Sequence, residues 1–189
     1  MVGLEAQEIS VALLKKTLVH NNLQDRVSVV QGDMRHTTLP HGAVFDLITG
    51  SPPYLPEKNG RLSPHPQRAA CRSELRGSVI DYAATAKQYL APGGRFVYVM
   101  LSQDPRTEAA AKLAGLSILE KVDYVFRDDG RKPHICTIVC CHGNEVPAGH
   151  QPVYRRFVVR TGTGEPTEEY KQFQAYHMGN ASAAHATMP

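Results

Sequence analysis

The sequence predicts a doubly wound α/β sheet, mostly parallel, with an antiparallel hairpin toward its C-terminal end. Three observations carry this. Short runs of β-branched residues alternate with segments of helical period. Glycine, proline and asparagine breaks fall between these runs. Late in the chain, two strand-like runs flank Asp129-Gly130 with no room for a helix between them, which predicts a hairpin. Strand, helix, strand, strand, helix, strand, helix and hairpin, in that order, leave few admissible topologies.

Taken along the chain, VGLE (residues 2–5) is a short apolar run ending in an acid. Val11, Leu14 and Leu18, spaced by three and four beside Ile9 and Leu13, mark an amphipathic helix that Asn21-Asn22 stops. RVSVVQGD (26–33) reads as a strand closing on Gly32-Asp33, and FDLITG (45–50) as the next, capped by SPPY. Residues 55–73 are rich in proline and basic side chains and show no period, so they read as a long loop of the kind that often carries function. Val79, Ala83, Ala86 and Leu90 mark a helix ending before Pro92-Gly93-Gly94, and RFVYVML (95–101) a buried strand. Asp104-Pro105 supplies an N-cap and first helical residue, with Gly115 as the stop. KVDYVFRD (121–128) and HICTIVCC (134–141) form the hairpin; YRRFVVR (154–160), a GTGEP turn and a helix around EEYKQFQAY (168–176) come after it. The expectation is one domain over residues 1–177 and a frayed tail over 178–189.

Composition narrows the class. With 42% apolar and 21% charged residues, the 189-residue chain can bury one core. A net charge of +3 is compatible with a nucleic-acid partner without requiring one. No apolar run approaches the roughly 18 residues of a membrane span, so none is expected. The four cysteines form no CxxC pair and the first residues are mixed in polarity, which points to a reducing, cytoplasmic setting without a secretory signal.

In doubly wound sheets, ligands sit beyond the carboxyl ends of the strands. Glu5, Asp33 and SPPY all fall at such ends. An acid at the end of an early strand can accept hydrogen bonds from both hydroxyls of a ribose. Asp33 could accept from an adenine amine. SPPY suits an amine whose lone pair is delocalised into a ring or carbonyl and therefore attacks poorly. Two acceptors gripping its N–H bonds favour the pyramidal nitrogen, and fixed dipoles stabilise the charge that develops there. Ser51 Oγ and the Pro52 carbonyl are such acceptors. Pro52 and Pro53 together stiffen the backbone that carries them, and Tyr54 offers an aromatic face on which a base could stack.

LEAQEISVALLKKTLVHNN, GDM and FDLITGSPPY, in this order, resemble the class I S-adenosylmethionine-dependent methyltransferases, and within them the amino-methyltransferases with an (N/D/S)PPY motif. CRSELRGSVIDYAATAKQYLAPGGRFVYVM, HICTIVCC and RRFVVRTGTGEPTEEYKQF extend the likeness to the bacterial tRNA(Val) adenine-N6 methyltransferase group. The resemblance implies a Rossmann-like sheet of class I methyltransferase type and S-adenosylmethionine as cofactor. It implies methylation of an exocyclic amine, adenine N6 in tRNA or another structured RNA. By that likeness Glu5 would hold the ribose, Asp33 and Met34 would line the adenine, and Ala6 and Ser51 would complete the cofactor site. Ser51, Pro52, Pro53 and Tyr54 would hold the target base. Arg61, Arg68 and Arg72, in the loop beyond, could meet phosphates of the substrate.

Two departures stand out. Serine replaces the commoner asparagine at the head of the motif. Only four residues precede Glu5, where the family carries a first strand and a glycine-rich cofactor loop. The expectation is a sheet lacking that strand, with two neighbours unpaired. Gly162-Thr163-Gly164 reads as a turn rather than a replacement loop. Cys136, Cys140, Cys141 and His142 read as buried strand residues rather than metal ligands, so no metal is expected. Two alternatives remain open: a protein glutamine N-methyltransferase, and a catalytically inactive methyltransferase-like module that binds RNA or a partner.

Overall fold

The computed structural model describes residues 1–40, 42–58 and 62–186. Among these residues, seven strands and five α-helices succeed one another in chain order: β1 (Val2–Glu5), α1 (Glu8–His20), β2 (Ser28–Gln31), β3 (Phe45–Gly50), α2 (Pro66–Arg72), α3 (Val79–Tyr89), β4 (Leu90–Leu101), α4 (Arg106–Leu113), β5 (Leu116–Val125), β6 (Ile135–His142), β7 (Val153–Val158) and α5 (Glu168–Ala186). Among the described residues, no helix is long and apolar enough to cross a membrane.

The strands form two sheets. β1 and β2 pair in parallel, and a five-stranded sheet has the order β3-β4-β6-β5-β7. β3 lies parallel to β4, and β7 parallel to β5. β6 is antiparallel to both its neighbours, so that β5 and β6 make the hairpin read from Asp129-Gly130. Both β1 and β3 thus keep an edge with no strand among the described residues, as the sequence led us to expect. That arrangement leaves apolar side chains open: Leu47 on β3 is 60% exposed and Ile9 on α1 56%.

The core sits where α3 and α4 cover one face of β4, β6 and β5. Phe96, Tyr98 and Met100 alternate inward from β4, meeting Cys136, Ile138 and Cys140 of β6 and the small faces Ala83, Ala86, Ala110 and Ala111 of the helices. The alanines let the helices approach the sheet closely. Burial pushes the Cys136 and Cys140 thiols up to about 11 and about 12, so these are inert packing groups. On the opposite face, Phe157 of β7 packs edge-on against Tyr124 of β5 and against Tyr170 and Phe173 of α5.

Several boundaries differ from the sequence reading. Residues 55–73 are not all loop, because Pro66–Arg72 form α2, started by Pro66 and capped by the His65 side chain accepting from the Arg68 N–H. β4 begins at Leu90 and runs through Pro92-Gly93-Gly94, with Gly93 taking a φ of 76° where β4 slips register against β3. The tail expected to fray from residue 178 is helical through Ala186.

Candidate active site

β1, β2 and β3 all end at one cavity of about 310 Å³, walled by Glu5, Ala6 and Gln7, by Gly32 and Met34, and by Ser51 and Pro53. α2 adds Ala70 and Cys71, and α3 adds Tyr82.

The first wall is held together by its own backbone. The Glu5 carbonyl accepts the Gly32 N–H at 2.9 Å, tying the ends of β1 and β2. Glu5 Oε1 accepts the Gln7 N–H at 2.7 Å, where the chain turns into α1. This leaves Glu5 Oε2 directed at no protein donor among the described residues. Arg76 spans the mouth and donates to the Ala6 carbonyl at 2.7 Å.

Asp33 comes directly after Gly32, but its carboxylate is taken. Arg35 donates its backbone N–H and Nε to Oδ1, at 3.0 and 2.9 Å, and a terminal nitrogen to Oδ2 at 2.5 Å. The Arg35 hydrogen bond holds the Asp33 carboxyl down at about 2, against the opposing effect of partial burial. Asp33 therefore stands beside the cavity, while its neighbours Gly32 and Met34 line it.

The third wall is the SPPY stretch. Ser51 is exposed at the mouth and Pro52 and Pro53 are buried behind it. Tyr54 is half-buried and packs against the core instead of lining the cavity. The residue after Tyr54 is clamped: the Leu55 N–H donates to the Arg72 carbonyl at 3.1 Å and the Leu55 carbonyl accepts the Glu74 N–H at 2.9 Å. Arg106 then reaches from α4 to donate to Glu74, to Asp104 and, at 3.4 Å, to the Tyr54 carbonyl. Arg68 and Arg72 are exposed on α2 outside the cavity wall, and Arg61 lies outside the described residues.

Gln7, Cys71 and Tyr82 escaped the sequence reading as candidate site residues, since each comes from an element whose packing brings it here. Burial raises the Tyr82 hydroxyl above its ordinary value, with the charges of Glu5 and Cys71 adding to it. Its ring lies on Gly50: a Cβ there would stand 2.7 Å from Tyr82 Cδ1. Gly50→Val is expected to drive the Tyr82 ring off β3 into the cavity and to lower stability by about 1–3 kcal/mol, the range for overpacking. Urea unfolding and a structure of the variant check this; an unmoved ring with unchanged midpoint would refute it.

Parallel strands with an antiparallel β6 inserted among them, and a cavity at the ends of β1, β2 and β3, are features of a Rossmann-like methyltransferase fold. No protein-family model matches the sequence, and no curated protein does. Among solved structures, the chain is similar to a predicted O-methyltransferase from Agrobacterium tumefaciens, with TM-score 0.58 and 15% identity over 90% of this chain and 74% of that one. The fold assignment rests on this likeness. More distant likenesses include the glycopeptide N-methyltransferase MtfA in complex with sinefungin, at TM-score 0.49 and 14% identity over 75% and 70% of the two chains. An S-adenosylmethionine-dependent methyltransferase from Clostridium acetobutylicum stands at 0.47 and 12%, over 75% and 74%.

Proposed function

We propose that this chain is an S-adenosylmethionine-dependent N-methyltransferase that acts on an exocyclic amine, adenine N6 in tRNA or another structured RNA. One observation carries the reading: Glu5 at the end of β1 and Ser51 at the end of β3 wall the same cavity. The acid suits ribose hydroxyls, and Ala6 and Met34 offer apolar flanks for an adenine. These residues fit the nucleoside half of the cofactor. The remainder would extend toward the open edges of β1 and β3.

When bound, S-adenosylmethionine supplies an electrophilic methyl group. The chain supplies the acceptor's surroundings. Ser51 Oγ and the Pro52 carbonyl accept from the amine's two N–H bonds, which frees the nitrogen lone pair, and the buried Pro52-Pro53 pair keeps both acceptors in place. The clamp of Leu55, Glu74 and Arg106 steadies the segment behind them. No side chain acts as a strong base, because the amine proton leaves to water after transfer.

Calorimetric titration with S-adenosylmethionine is the test. Micromolar binding is expected, weakened at least tenfold by Glu5→Ala, as removal of one charge-assisted pair of hydrogen bonds requires. Binding indifferent to Glu5→Ala would sink the reading. With binding established, methylation of RNA against a glutamine peptide separates adenine from protein amide. The split sheet favours a second reading, a methyltransferase-like module that binds RNA without catalysis. RNA binding with no cofactor heat would support it.

A further inference from the structure

The rim that carries Ser51 continues along the sheet. β3, β4, β5 and β7 run the same way, so SPPY, the Phe126–His134 loop after β5 and the Arg160–Pro166 turn after β7 share one edge. With strands about 4.8 Å apart, β5 and β7 lie roughly 14 and 19 Å along that edge from β3. The loop and the turn are locked together: the Asp128 N–H donates to the Arg160 carbonyl at 2.9 Å, and a Cβ on Gly162 would stand 3.0 Å from the Asp128 carbonyl. The Ser102 N–H, at the end of β4, holds the His134 carbonyl at 3.0 Å.

Two guanidinium groups converge on this turn. Arg127 donates Nε to the Gly162 carbonyl at 3.2 Å, and Arg160 donates to the Gly164 carbonyl at 2.9 Å. Both are anchored by neutral carbonyls, and neither has a carboxylate partner among the described residues. Lys132 stands exposed in the same loop. Of the nearby acids, Asp129 pairs with Arg131 and Asp128 with Arg156, while Glu165 sits later in the turn. Like charges held together without a counterion disfavour each other unless an anion joins them. Phe126, 56% exposed at the head of the loop, adds a ring to the cationic ledge.

We propose that this ledge is a second RNA contact: Arg127, Arg160 and Lys132 take backbone phosphates, and Phe126 stacks an unpaired base, of the RNA whose target base enters at Ser51–Tyr54. It rests on the RNA reading of that site. Cations anchored yet unneutralised, beside an exposed ring, are what single-stranded RNA recognition uses.

The test is fluorescence anisotropy of the full chain with a labelled RNA hairpin bearing an adenine in its loop, across 50–200 mM KCl. Arg127→Gln/Arg160→Gln is expected to weaken binding about tenfold. It should also flatten the salt dependence by about 1.4, at about 0.7 per lost single-strand phosphate contact. Phe126→Ala should weaken binding with the salt slope unchanged. Circular dichroism shows that each variant folds, and Arg95→Gln on the opposite rim is the control. Equal affinity and slope in the double variant, no RNA binding by the unaltered chain, or displacement of RNA by polyglutamate at matched charge would each overturn the proposal. Ser51→Ala reports separately on the base site: loss there with binding unaffected by the ledge variants refutes the ledge alone, and the reverse refutes the base site alone.

Discussion

Phe96→Ala is expected to lower the unfolding free energy by about 3–5 kcal/mol, the range for deleting a core phenyl ring. Phe96 is 1% exposed on β4, stacked on Tyr98 with ring centroids 5.0 Å apart. β4 lies between β3 and β6, so the vacated space has sheet on both sides and cannot collapse easily. The loss would take a large share of the 5–15 kcal/mol typical of a domain. The damage should also reach the cavity, because a Cβ at Gly50 would lie 3.7 Å from Phe96 Cε2 and 2.7 Å from the Tyr82 ring. Phe96→Leu, which refills most of the space, should cost less than half as much. Urea denaturation decides it; a loss under about 1 kcal/mol for the alanine variant, below the range for a buried aromatic, would mean that the core lies elsewhere.

Arg106→Ala is the second large effect, and its size depends on pH. The guanidinium donates to Glu74 Oε1 at 2.5 Å and to Asp104 through Nε and a terminal nitrogen at 3.0 and 2.6 Å. Both carboxylate side chains are only 11% exposed, and Arg106 itself 27%. Removing the cation leaves two half-desolvated negative charges facing each other. The expected loss near neutral pH is roughly 2–3 kcal/mol, below the 3–5 of a fully buried pair because water reaches Arg106. In the unaltered chain the Arg106 hydrogen bond holds the Asp104 carboxyl below its ordinary value. That contribution is present above the unfolded pKa, about 3.9, and is lost as pH falls through the folded value. In the variant Asp104 no longer has that hydrogen bond, so this part of the difference is absent once acid has protonated it in both proteins. The gap between the proteins should therefore hold from pH 7 to about 4 and narrow below that. Arg106→Lys, which keeps the charge but loses the fork, should fall between them. A gap constant with pH would mean that packing, not charge, explains the loss.

Helix and strand identity was legible wherever a period ran for several residues. α1 announced itself through Val11, Leu14 and Leu18, and α3 through Val79, Ala83 and Ala86. α2 did not, because seven residues give too short a window for a period, and its proline resembles loop chemistry until it is seen at the helix start. The first half of β5 carried no signal either; Leu116–Glu120 become a strand by pairing with β6. That Glu5 and Ser51 would stand together at strand ends was legible, because a strand end is a local property. Tyr82 and Gln7 were not, since nothing near them in sequence says which helix or loop will close over the cavity.

Local chemistry was enough to say which segments extend and which coil, where the Asp129-Gly130 hairpin turns, and that Glu5 and SPPY stand at strand exits. These properties arise from side-chain periodicity and turn chemistry, which act over a few residues. Long-range packing alone settles that β6 enters between β4 and β5, that β7 closes the far edge in parallel, and that β1–β2 stands apart from the other five strands. It also settles that the Tyr54 ring turns to the core and that Arg127 and Arg160 meet over one turn. Those outcomes depend on burial and on contacts between residues far apart in the chain, where the free energy of packing outweighs any local preference.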